Sequence, residues 1–182
     1  ITSNNYLDTL ILSHLQLTDA NMILLFQDLA NGSPLKELKL IGNELGIDSI
    51  RSMVPFFRNS RNLNQLNFSQ NRNINTECFG LIVEALRGGT IKTLRLWGCR
   101  IEDILVLEHH KLVCLKVLHL NGNNIAGMPS LDNYANLEEL YLARNKIGKE
   151  GCSSIAKLLK KEGACLKCID LESNDIDDEE AE

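Results

Sequence analysis

Apolar and polar positions along this chain repeat one frame, L-x-x-L-x-L-x-x-N-x-L, seven times. The first copy is Leu7, Leu10, Leu12, with Leu15 where Asn is expected, then Leu17. The next three are Leu35, Leu38, Leu40, Asn43, Leu45; Leu63, Leu66, Phe68, Asn71, Ile74; and Ile91, Leu94, Leu96, Cys99, Ile101. The last three are Leu115, Leu118, Leu120, Asn123, Ile125; Leu137, Leu140, Leu142, Asn145, Ile147; and Leu166, Ile169, Leu171, Asn174, Ile176. Their first residues stand 28, 28, 28, 24, 22 and 29 positions apart. Inside each copy the pattern has period two, as in Leu38-Lys39-Leu40, which predicts a half-buried strand. The asparagine closes the strand. Its amide both donates and accepts, so it can bond backbone groups of its own turn and of the next coil.

The second half of a unit changes period. Apolar residues recur 5, 8, 9 and 12 positions after the frame ends: Met22, Leu25, Phe26, Leu29; Ile50, Met53, Val54, Phe57; Phe79, Ile82, Val83, Leu86; and Cys152, Ile155, Ala156, Leu159. That spacing is one face of an α-helix. Asn31-Gly32-Ser33-Pro34 and Asn59-Ser60-Arg61-Asn62 are turn-forming return loops. Strand, turn, helix and return loop at a fixed period predict an α/β solenoid: a curved right-handed coil with a parallel concave sheet and convex helices. Seven strands at about 4.8 Å would span roughly 29 Å of open surface. Two units are shorter. The stretch after Ile101 has room only for Ile104, Leu105 and Leu107 as core, and that after Ile125 contains Pro129. Both predict 3₁₀ or irregular backbone on the convex side.

Composition narrows this picture only slightly. The frame fills the 182 residues, so 1–182 reads as one domain. No apolar run approaches the ~18 residues of a membrane span. The net charge of −5 excludes a nucleic-acid backbone as the main partner. The six cysteines fall into repeat slots, Cys99 in the asparagine position and Cys152 in a small helix slot, which suits reduced thiols in the cytoplasm. Ser3-Asn4-Asn5 resembles a return loop and Asp177-Asp178-Glu179-Glu180-Ala181 the start of another helix, so the chain is expected to be part of a longer one. Cys165-x-x-Cys168 has no second pair at ligand spacing, and His109-His110 reads as two surface histidines.

The long units, such as Leu137 to Cys152, resemble the ribonuclease-inhibitor type of leucine-rich repeat. That type also occurs in Ran GTPase-activating protein and in the sensor arms of NOD-like immune receptors. The unit from Leu115 to Asn136 is similar to the shorter intracellular type. Leu15 and Cys99 in the asparagine slot, and an extra residue before Ile74, depart from the pattern. The resemblance implies protein binding, and the residues themselves offer no cofactor motif and no metal-ligand spacing.

Residues that flank the inward leucines should form three rows on the concave face. The central row is Ile11, Lys39, Asn67, Arg95, His119, Tyr141, Asp170; the row before it includes Glu37, Glu139 and Cys168, and the row after it Ser69, Trp97 and Glu172. The chain's single tryptophan is therefore near Arg95, His119 and Tyr141, residue types enriched at binding hot spots. Lys39, Glu139 and Asp170 complete the candidate partner-binding set. Lys92, Arg95, Lys116 and His119 make the middle of the arc basic, and Glu138, Glu139, Asp170 and Glu172 make its later part acidic. Neither a Ser-His-Asp order nor a P-loop appears. The leading expectation is a monomeric, non-catalytic scaffold or recognition arm for a protein partner. A GTPase regulator and a passive segment of a large assembly are the alternatives.

Overall fold

The structure is a computed structural model, and it describes residues 6–27 and 33–176, apart from the side chain of Glu150. Leu29, Asn31-Gly32, Ser3 to Asn5 and Asp177 to Ala181 fall outside those residues. Seven short strands form one open parallel sheet in chain order. They are β1 (Thr9–Ile11), β2 (Glu37–Lys39), β3 (Gln65–Asn67), β4 (Thr93–Arg95), β5 (Val117–His119), β6 (Glu139–Tyr141) and β7 (Cys168–Asp170). Five helices lie on the other side: α1 (Asp19–Phe26), α2 (Ile47–Asn59), α3 (Thr76–Ala85), α4 (Val106–His109) and α5 (Gly148–Lys160).

The register follows the leucine frame without a slip. Leu10, Leu38, Leu66, Leu94, Leu118, Leu140 and Ile169 pair in sequence, so both outward rows also line up. A slip of one residue would turn every leucine outward. From Leu38 to Leu140 these residues are fully enclosed.

Behind the sheet, the helix stripes form the rest of the core. Phe26 of α1 meets Phe56 of α2 edge-on at 5.3 Å, and Phe57 meets Phe68, in the β3 coil, at 6.3 Å. Met22, Ile50, Met53, Phe79, Ile82, Val83 and Leu86 are buried as their spacing predicts, whereas Leu25 and Val54 are partly covered. In α5 the stripe is displaced. Ile155 and Leu158 are buried, Cys152 is half-buried, and Ala156 and Leu159 are exposed, Leu159 by 56%. The slot of Leu159 corresponds to Phe57 of α2, which packs toward the following coil. The short units also differ in detail from expectation. Leu107 and Ile104 are buried, but Leu105 is exposed and Leu112 fills the space. The backbone there makes one α-helical turn, α4, and the unit after Ile125 has turns only. His110 is not a surface residue throughout: its ring is partly covered, and its carbonyl accepts from the Tyr134 hydroxyl at 2.8 Å.

Asparagines tie the coils together, and each reaches back to the preceding coil, not forward. Asn123 donates to the Leu96 and Leu120 carbonyls at 2.8 and 2.9 Å and accepts from the Ile101 N–H at 3.1 Å. Asn71, Asn145 and Asn174 repeat this pattern. Asn43 accepts from both Leu15 and Leu17 N–H groups at 3.1 Å, so the first turn is held although Leu15 itself is exposed. The residue before each asparagine slot has a left-handed backbone: His14, Gly42, Gln70, Gly98, Gly122, Arg144 and Ser173.

The two departures at Cys99 and before Ile74 are a single compensated change. The Cys99 thiol points at the Phe68 carbonyl at 3.7 Å, replacing one amide donor. It offers no comparable acceptor for the Ile74 N–H. The extra residue folds Asn71-Arg72-Asn73-Ile74 into a turn in which that N–H donates to the Asn71 carbonyl at 3.0 Å. Burial pushes the thiol up to about 12.

A second set of bonds between coils places the helices. Asp19 in α1 accepts from Gly46 N–H at 2.8 Å and from Ser49, and so caps the start of α2. Asn75 caps α3 from within, accepting from Cys78 N–H at 3.0 Å.

Asn123→Ala should destabilise the protein by about 3 kcal/mol or more, because two buried carbonyls and one N–H lose their partner. Leu15→Ala should cost less than about 1 kcal/mol. Urea unfolding followed by circular dichroism measures both, and equal losses would contradict the ladder.

Candidate functional site

The outward rows of the sheet contain every residue of the expected set, but they do not form one patch. Arg95, His119 and Tyr141 occupy the same position on β4, β5 and β6, and Trp97 follows Arg95 two residues on. Asp170 continues the row on β7. Glu139 is beside Tyr141 on β6. Lys39 is separated from Arg95 by β3, and its ammonium pairs with Glu37 at 2.8 Å. The structure thus brings together Trp97, Arg95, His119, Tyr141, Glu139 and Asp170, and sets Lys39 apart. Between the two groups Asn67 and Ser69 are buried, Ser69 accepting from the Trp97 N–H at 3.2 Å, while Gln65 on the same strand is exposed.

Within the group, the rings of His119 and Tyr141 are stacked at 5.0 Å with 46° between planes. The tyrosine hydroxyl donates to Glu139 Oε2 at 2.9 Å, and this bond, with Cys168 nearby, pushes the phenol up to about 12. The imidazole titrates below its ordinary value, first because it is half-buried and then because Arg95 lies close; Asp170 opposes this only in part. Near neutral pH the centre of the patch is therefore an uncharged ring pair. Trp97 is 37% exposed and stacks on neither Arg95 nor His119. Its indole N–H and the Arg95 guanidinium have no hydrogen-bond or ionic partner among the described residues. Trp97, His119, Asn121, Arg144, Asp170 and Glu172 border an open hollow of about 360 Å³.

The expected split of charge along the arc is reduced by ion pairs. Lys116 and Lys167 both reach Glu138 at 2.6 Å, which holds its carboxyl down at about 2. Glu139 accepts from the neutral Tyr141 hydroxyl and keeps its charge. What remains is Lys92 and Arg95 on one side and Glu139, Asp170 and Glu172 on the other.

Comparison with known proteins bears on the frame more than on the patch. A family profile described as Leucine Rich repeat matches residues 135–156 and 164–180. The crystal structure of an internalin (inlF) from Listeria monocytogenes superposes with a TM-score of 0.55 over 80% of this chain, at 20% sequence identity. The chain is a leucine-rich-repeat solenoid. At that identity the internalin likeness concerns the fold alone, and it covers 44% of the internalin chain. An uncharacterized protein of Caenorhabditis elegans is 44% identical over 55 residues, which is 30% of this chain but only 12% of that protein's length.

The six cysteines of this leucine-rich-repeat chain are free, and Cys168 is beside Glu139 and Tyr141 in the patch. Cys78 and Cys99 are buried, and Cys165 of the Cys165-x-x-Cys168 pair is exposed. Among the described residues, no group of three His, Cys, Asp or Glu side chains is placed to hold a metal ion. No described helix is long and apolar enough to cross a membrane. Sequence reasoning passed over the rim where the strands end: Gln70, Arg72, Asn73 and Arg100 gather there beside Trp97, around a hollow of about 640 Å³. The extra residue before Ile74 was the available sign of it.

His119 should titrate by NMR with a midpoint below the ordinary imidazole value, and Arg95→Gln should raise that midpoint. The folded state binds its proton more weakly than the unfolded chain does, so stability falls as pH drops through the ordinary histidine range. A His119→Gln variant should lose less stability than the wild type between neutral and mildly acidic pH in thermal melts.

Proposed function

We propose that this leucine-rich-repeat chain is a non-catalytic recognition arm that binds a protein partner on its concave face, centred on Trp97, Arg95, His119 and Tyr141, with Glu139 and Asp170 at its border. One observation carries the reading: the only tryptophan in the chain lies on the open sheet with its indole N–H unpartnered, beside an arginine that is also unpartnered among the described residues. Trp and Arg are the types whose burial contributes most at protein interfaces. The uncharged His119–Tyr141 pair beside them costs little to desolvate, compared with an ion pair. Lys39, paired with Glu37 and separated by the buried Asn67 and Ser69, belongs at most to the edge of this surface.

The finer parts of the reading have their own support. Units of 28 residues with convex α-helices favour the ribonuclease-inhibitor-like type. Six free cysteines, two of them in the core or ladder, favour an intracellular, reducing setting. Monomeric behaviour in isolation is part of the proposal, and sedimentation is its check.

The test is affinity capture with the protein, read by mass spectrometry. A Trp97→Ala, Tyr141→Ala double variant should lose the captured partner, with binding weakened by about 2 kcal/mol or more, while its circular dichroism spectrum stays that of the wild type. Undiminished capture by a folded double variant would refute the concave patch.

A further inference from the structure

Trp97 borders two hollows, and the larger is outside the concave row. It lies on the rim where the strands turn, with Trp97, Arg72, Arg100, Gln70, Asn73 and Glu44 in its wall. Arg72 follows Asn71, and Arg100 follows Cys99, so the two arginines leave the backbone from matching frame positions of adjacent coils. Strands of adjacent coils are about 4.8 Å apart, and like charges in neighbouring positions repel. Neither guanidinium has an ion pair or hydrogen bond among the described residues. The convex side is arranged differently: Arg51 and Arg58 reach Glu77 and Glu84 of the next coil at 3.1 and 3.3 Å. The turn that compensates for Cys99 is what places Arg72 and Asn73 in the wall. The rim therefore holds two adjacent guanidiniums without an ion pair among the described residues, beside a partly exposed indole, with Glu44 at the matching position of the coil before Arg72.

We propose that this rim hollow receives an acidic side chain from an extended segment of the protein partner. The carboxylate is held between Arg72 and Arg100, and a neighbouring side chain of the segment covers Trp97. The inference rests on the reading that the Trp97 face engages a protein. Two guanidiniums supply the forked donors that a carboxylate accepts. Gln70 offers both a donor and an acceptor, and Asn73, one of whose amide hydrogens goes to the Glu44 carbonyl at 3.3 Å, keeps its carbonyl oxygen and second hydrogen, which suits the N–H and C=O groups of a peptide backbone. Glu44, at the same frame position one coil before Arg72, together with a net charge of −5, disfavours a dense polyanion such as nucleic acid. The segment thus has one or two acids, not a run of phosphates.

Because Trp97 is the only tryptophan, its emission reports occupancy directly. The chain is titrated with a capped heptapeptide containing two glutamates among glycine and serine, with the same peptide carrying glutamines, and with a short single-stranded DNA. The glutamate peptide should give a saturable emission change that weakens with salt, and the glutamine peptide should bind about tenfold less tightly. Arg72→Glu with Arg100→Glu should abolish the change. Arg72→Gln with Arg100→Gln, which introduces no repulsion, should weaken it. No emission change, equal binding of the two peptides, an unaltered titration of the double glutamate variant, or tighter binding of DNA would each overturn the proposal. Affinity capture separates the two readings. If R72E/R100E retains the partner that W97A/Y141A loses, the rim proposal falls and the concave face stands; if both retain it, both fall.

Discussion

The structure depends on satisfying backbone groups inside a turn that has no strand partner. Where each strand ends, the chain bends into the core with N–H and C=O groups that water cannot reach, and an unmet group there costs about as much as a lost hydrogen bond. A buried asparagine meets three of them at once, two carbonyls and one N–H, as Asn123 and Asn145 do. The leucines supply most of the driving force by leaving water. They pack in many ways, however, and do not by themselves dictate one turn. The asparagine bonds do. Where one is missing, at Cys99, the chain lengthens by a residue to restore what was lost.

The same constraint decides where side chains are free to serve recognition. Inward positions are taken by leucine and turn positions by asparagine or its substitute. Only outward strand positions and the exposed corners of the turns are left. On most of the coil these are occupied by intramolecular pairs: Lys36 with Asp8, Lys39 with Glu37, Lys116 and Lys167 with Glu138. Around Trp97 the arginines Arg95, Arg72 and Arg100 have no such pair among the described residues, while Glu139 and Asp170 beside them are hydrogen-bonded by Tyr141 and Asn121.

Strand register and most of the core were legible in the sequence, because both follow from periods of two and 3.6 that local geometry enforces. Leu38, Leu66, Leu94 and Leu118 lie where the frame puts them, and all three outward rows were readable in order. Less legible was anything set by the neighbouring coil. Leu159 and Ala156 fit a helical stripe, yet their exposure depends on what packs beside α5. Leu105 is exposed and Leu112 buried, because the chain forms only one helical turn, Val106–His109, starting after Leu105. The capping of α2 by Asp19 joins residues 27 and 30 positions apart, beyond any local pattern. Of the candidate site, the sequence placed Arg95, His119 and Tyr141 side by side. It did not reveal that Lys39 is paired, that Asn67 and Ser69 are buried, or that the rim arginines adjoin Trp97.

The backward reach of the asparagines has a consequence for what counts as one repeat. Counted by leucines, a unit runs from one strand to the next. Counted by bonds, a coil's turn is complete only when the following coil's asparagine is in place, since that residue accepts its N–H and shares its carbonyl. The cooperative module is therefore out of phase with the sequence motif by most of a strand and turn. A duplication or excision cut at motif boundaries keeps the hydrophobic pattern intact but joins each turn to a new successor. The identity of one residue in that successor then decides whether the joint closes.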